Sequence, residues 1–144
     1  MNANEFIATI EDEPVIRAIQ SAEARTSGEL RVFVTDKIVG DAIAEAWKTF
    51  ARLNMQGTKQ RNAVLVFVGP KARKFAIVAD EGIHRFCKEA FWSQLAQQLS
   101  EGFKVGDYTG ALVRLIEDIG RVLAAHFPRL EDDVNELPDE VLRD

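Results

Sequence analysis

The sequence predicts an α/β layer structure in which helices cover a small mixed sheet. Three observations lead there. Segments of helical and of strand periodicity alternate through the first half of the chain. The run "AVLVFV" at 63–68 is almost wholly apolar, as in a strand buried on both faces. A short turn, "GPKARK", then separates it from a second strand, "FAIVAD". With 144 residues, 47% of them hydrophobic, the chain is sized for one domain that buries a core without disulfides or a structural metal.

Taken in order, residues 14–25 place Val15, Ile16, Ile19 and Ala22 on one helical stripe, with Pro14 where a first-turn proline is tolerated. "TSG" stops that helix. In "ELRVFVTD" Leu30, Val32 and Val34 alternate with Arg31, Phe33 and Thr35, the pattern of a strand. "DAIAEAWKTFARL" returns to helical spacing through Ile43, Ala46, Trp47 and Phe50, with Asp41 as its N-cap. After the two strands at 63–68 and 74–79 come a short turn of helix, a helix at about 92–103, a break at "KVGDYTG", and a helix through "ALVRLIEDIGRVLAAHF". Leu112, Leu115, Ile116, Ile119, Val122 and Leu123 repeat there at the helical period, and Pro128 ends the run. One domain over 1–128 is expected, followed by a loosely ordered acidic tail at 129–144.

A helical crossover between the first two strands makes them parallel, and the hairpin makes the third antiparallel to the second. The C-terminal end of the third strand then shares a sheet edge with the N-terminal ends of the first two. Loops 26–29, 57–62 and 80–84 meet on that edge, gathering Glu29, Asp80 and Glu81 beside Thr58, Arg61 and Asn62. Hard cations such as Ca²⁺ and Mg²⁺ take carboxylate, carbonyl, hydroxyl and amide oxygens, and these loops supply all four. A divalent ion would also relieve repulsion between adjacent carboxylates. The other reading is that Asp80 caps the short helix and Glu81 is solvated; the residues by themselves leave both open.

The net charge of −5 and pI near 5.1 argue against a nucleic-acid partner, because phosphate backbones are bound by clustered Lys and Arg. Cys87 is the single cysteine, so an intrachain disulfide is excluded. The acidic start lacks the basic and apolar regions of a signal peptide, and no apolar run approaches the ~20 residues of a membrane helix, so a cytoplasmic protein without direct membrane insertion is expected. His84, one helical turn past Asp80, lacks the further nitrogen or sulfur ligands that zinc takes. Cys87 has no phosphate-cradling arginine loop around it, and no GxSxG, Walker, dinucleotide-glycine or CxxC motif occurs.

The ordered set "TSGELRVFV", "FARLNMQGTKQRNAVLVFV", "RKFAIVADEGI", "FW", "GFKVGDYTGAL" and "HFP", spanning 12–128, resembles the TPM domain family. The resemblance implies a Rossmann-like three-layer α/β/α sandwich. It also implies binding of calcium or magnesium, and an acid-phosphatase activity attributed to a thylakoid-lumen relative; other relatives are membrane-tethered accessory proteins. By position, Glu29, Thr58, Asn62, Asp80 and Glu81 are the metal candidates, with Asp107 of "GDY" as a further one, and Arg61 and Asp80 are the catalytic candidates. The expected role is an interaction module that binds a divalent cation and a membrane-associated protein complex. The alternative is a metal-assisted phosphomonoesterase in which Arg61 neutralises charge on the phosphoryl group.

Overall fold

Two strands with no exposed face occupy the middle of the sheet: every residue of β1 (Glu29–Val34) and of β2 (Ala63–Gly69) is buried. Strands of this kind need helices on both sides. A computed structural model of the chain, which describes residues 12–129 and 141–143, shows how they are supplied. The remaining elements are α1 (Asp12–Glu23), α2 (Ala42–Arg52), β3 (Lys74–Ala79), α3 (Glu81–His84), α4 (Glu89–Lys104), α5 (Tyr108–His126) and β4 (Val141–Arg143). Short 3-10 turns lie at Met55–Gly57 and Pro70–Ala72. No helix among the described residues is long and apolar enough to cross a membrane.

The sheet runs in the order β3-β2-β1-β4. β1 and β2 are parallel, with Glu29 opposite Ala63 and Val34 opposite Val68, while β2 and β3 are antiparallel, with Val64 opposite Ala79. The crossover and hairpin expected from the sequence are therefore present, and the sheet is mixed. Leu30, Val32, Val34, Val64 and Val66 face a layer made by α1, α4 and α5. Phe33, Leu65, Phe67, Ala76 and Val78 face α2. On that second face Phe33 and Phe67, register partners, stack with ring centres 5.9 Å apart. The result is a three-layer α/β/α sandwich, as expected.

The periodic stripe of α5 is its buried side: Leu112, Leu115, Ile116, Ile119 and Leu123 all lie in the core. Burying each such side chain is worth about 1.5–3 kcal/mol. α1 lies so close to α5 that a Cβ added at Gly120 would stand 2.7 Å from the Cβ of Ala22. Two small residues thus set the spacing of that layer.

One expectation needs correction. Ile43 and Trp47 were placed on the inward stripe of α2, yet Ile43 is 62% and Trp47 40% exposed. The contact is made by the smaller Ala46 and Thr49 with Phe50, and Trp47 lies at the rim, edge-on to Phe50. Arg31, which the alternation of β1 places on one side with Phe33 and Thr35, is buried because α2 covers that face. Within the acidic tail at 129–144, expected to be loosely ordered, Val141–Arg143 pairs parallel to β1, with Val141 opposite Val32 and buried in the core. A three-residue strand is too short to leave a readable alternation. The expectation for 130–140 falls outside the described residues.

Replacing Gly120 by Leu should force α1 and α5 apart. Overpacking of this kind costs about 1–3 kcal/mol, which for a domain of this size means a Tm several degrees lower in a thermal melt followed by circular dichroism.

Candidate functional site

At the start of β1, Thr26 ties the chain to the end of α5: its hydroxyl donates to the carbonyls of Leu123 and Phe127, and Ser27 N donates to Phe127 O at 2.9 Å. The loop before β2 is a tight one. Arg61 N donates to Thr58 O, Asn62 N donates to the Thr58 hydroxyl at 3.2 Å, and Arg61 holds a left-handed backbone, φ 52°. Asn62 then joins the two strand starts, its side-chain amide donating to Ser27 Oγ and its carbonyl accepting from Glu29 N. At the end of β3, Asp80 caps α3: its Oδ1 accepts from Glu81 N at 2.8 Å.

These loops are locked together at Gly82. Its N–H donates to Arg61 O at 2.9 Å, and a Cβ there would stand only 2.2 Å from Gln60 O. The close approach brings Arg61 against Asp80. Arg61 Nε donates to Asp80 Oδ2 at 2.7 Å and Nη2 to Oδ1 at 3.0 Å, a two-point pair, while Nη1 lies 3.4 Å from Glu81 Oε1. Asp80 is 3% exposed, whereas the side chains of Arg61 and Glu81 are 43% and 73% exposed. The hydrogen bond to Asp80 is the largest influence on Arg61 and raises its already high pKa; the charges of Asp80 and Glu81 add to this, against partial desolvation. The guanidinium is a permanent, oriented charge.

Beside the pair opens a cleft of about 730 Å³, lined by Lys59, Gln60, Arg61, Glu81, Gly82, Arg85, Phe86, His126 and Phe127. Phe86 stacks on the His126 ring at 4.5 Å and meets Phe127 edge-on at 5.5 Å. The cleft is thus a basic floor with an aromatic wall.

A family model described as "TPM domain" matches residues 2–122. The chain belongs to the TPM domain family. Among solved structures it is similar to the NMR structure of the BA42 protein from the psychrophilic bacterium Bizionia argentinensis, with 34% sequence identity and a TM-score of 0.84, covering 92% of this chain and 91% of that one. No curated protein matches it.

This TPM domain brings Arg61, Asp80 and Glu81 together, as the strand directions require. It uses Thr58 and Asn62 as clasps of the loop and strand starts. Glu29 is buried on the α2 side of β1. Among the described residues no group of three or more Asp, Glu, His or Cys forms a metal-ligating cluster. Asp107 lies at the other end of the sheet, where it caps α5 and pairs with Arg114 at 3.1 Å. As a donor set for a hard cation, Asp80 and Glu81 have Arg61 standing between them. In the folded arrangement the Asp80 carboxylate is engaged at both oxygens by the Arg61 guanidinium.

Reading the sequence for oxygen ligands missed Lys59, Arg85 and His126, whose common feature is positive or protonatable character. Lys59 lies within loop 57–62 and Arg85 directly follows loop 80–84, so a count of cations in and next to those loops would have found both. Cys87 is buried, which pushes its thiol pKa up and leaves it unsuited to act as a nucleophile.

Gly82→Ala should separate loop 57–62 from α3, because the new methyl meets backbone rather than a yielding side chain. A loss of at least about 1–3 kcal/mol is expected in urea unfolding, together with loss of the amide protection of Gly82 in hydrogen exchange.

Proposed function

We propose that this TPM domain is a binding module for a phosphate-bearing anion, received in the cleft beside the Arg61–Asp80 pair. The observation that carries this reading is the charge of the lining: Lys59, Arg61 and Arg85 against the single carboxylate of Glu81, in a chain of net charge −5. Buried Asp80 fixes the guanidinium plane, so Arg61 presents its remaining N–H donors without first losing side-chain freedom. Phe86 and Phe127 offer an apolar surface to the organic part of a phosphomonoester. In the catalytic extension of this reading Arg61 neutralises charge on the phosphoryl group, and Asp80 is a positioning residue that holds Arg61. The accessory role carries over with it: a partner protein, in a membrane-associated complex, would be met through this cleft.

Calorimetric titration with phenyl phosphate and with inorganic phosphate tests the proposal. Saturable binding that weakens at least about tenfold in a Lys59→Gln/Arg85→Gln protein is the expected result, and the affinity should fall with added salt. Equal affinity in the variant and the parent would place the anion elsewhere.

Calcium or magnesium at Asp80 and Glu81 is the second reading, favoured by two carboxylates adjacent in sequence, Glu81 lining the cleft and Asp80 buried behind it. Arg61 and the ion would then compete for Asp80. Arg61→Gln should therefore bind Ca²⁺ more tightly than the parent, and Asp80→Ala should lose binding, in titrations of chelator-stripped protein. Identical behaviour of the three proteins would remove this reading.

A further inference from the structure

A second cavity, of about 470 Å³, opens at the other end of the sheet, between the Pro70–Ala72 turn and the joint of α4 and α5. Its apolar part is Val68, Phe75 and Phe103, continued by Tyr108. Phe75 and Phe103 meet edge to face at 6.0 Å, and Phe103 lies 5.5 Å from the Tyr108 ring. Its charged part is Arg73, Lys74 and Lys104, and no carboxylate lines it. Lys74 Nζ donates to Gly40 O, while Arg73 and Lys104 form no ion pair among the described residues. The neighbouring acids are already engaged, Asp107 by Arg114 and Asp36 by Lys71.

Two further features single the cavity out. It adjoins Val68, at the C-terminal end of the parallel pair β1–β2, which is where open α/β sheets take their ligands. Arg73 has φ 53°, a left-handed backbone that favours glycine. A long cationic side chain therefore stands where the backbone alone would select none. The volume and the mixture of an aromatic floor with a few convergent charges are those of a small-molecule site.

We propose that this cavity binds a small aromatic anion, its ring against Phe75, Phe103 and Tyr108 and its carboxylate or phosphate group between Arg73 and Lys104. The site is independent of the cleft at Arg61, which lies at the opposite end of β2 and β3.

Amide chemical shifts of the full chain, titrated separately with 1-naphthoate, adenosine monophosphate and neutral 2-naphthalenemethanol, test it. Saturable shifts at Phe75, Phe103, Lys104 and Tyr108 are expected with one or both anions, and binding of the neutral alcohol should be at least tenfold weaker. A response to naphthoate alone identifies an aromatic carboxylate site, and one to the nucleotide alone an aromatic phosphate site. Arg73→Gly removes the cation at a backbone position glycine prefers, so the variant should keep the parent fold and Tm. With Lys104→Gln added, the affinity should fall at least tenfold. The proposal is overturned by the absence of saturable shifts with both anions at millimolar concentration, by unchanged affinity in the double variant, or by shifts confined to Lys59, Arg61 and Arg85.

Discussion

The parallel pairing of β1 with β2, both buried on two faces, is the constraint from which the rest of this TPM domain follows. Parallel strands require a crossover, and α2 provides it on one side of the sheet. The other side must be covered by helices from elsewhere in the chain, so α1, α4 and α5 gather there. With both faces closed, polar groups at the strand ends find partners only among the loops that enter and leave the sheet. Asp80 N accordingly donates to Ala63 O, and Glu29 N to Asn62 O. The functional edge is a product of this closure, since the same loops that satisfy the strand ends also hold Arg61 against Asp80.

How far the sequence carried the reading depended on whether a signal was periodic or spatial. The apolar run of β2, the hairpin to β3 and the long stripe of α5 are periodic, and each was found in the structure where it was read. Ile43 and Trp47 obeyed the same helical period yet face outward, because α2 meets the sheet through small residues and a large side chain at the margin of that contact is left at the rim. Arg31 and β4 depended on what covers a face or joins an outer strand, which no local pattern encodes. At the edge, strand directions sufficed to bring Arg61, Asp80 and Glu81 together. The pairing of Arg61 with Asp80 rests on the direction of two side chains 19 residues apart, set by the backbone of loop 57–62 and the absence of a side chain at Gly82.

The two clefts are built on contrasting physical terms. At the Asp80 end the leading cation is fixed by a buried carboxylate, and hydrogen bonds join each loop to the next. At the Val68 end the walls are aromatic rings in edge contact, and Arg73 and Lys104 stand without ion-pair partners among the described residues. One end organises charge before a ligand arrives; the other offers apolar area with charge at its margin. A single sheet can support both because its hydrogen-bonded core separates them.

The place of β4 carries a consequence for how the chain reaches this state. It follows every other described element in order, yet it pairs with β1, the first of the described strands. While the protein is being synthesised, the outer side of β1 at Val32–Val34 therefore presents unpaired N–H and C=O groups beside apolar side chains, the kind of template on which strands of different molecules associate. Three residues, made after the other described elements, close it. The nascent chain is most exposed to self-association in the interval before Val141 docks, and sensitivity to expression rate, rather than to the stability of the finished fold, is where substitutions in this short strand would first be felt.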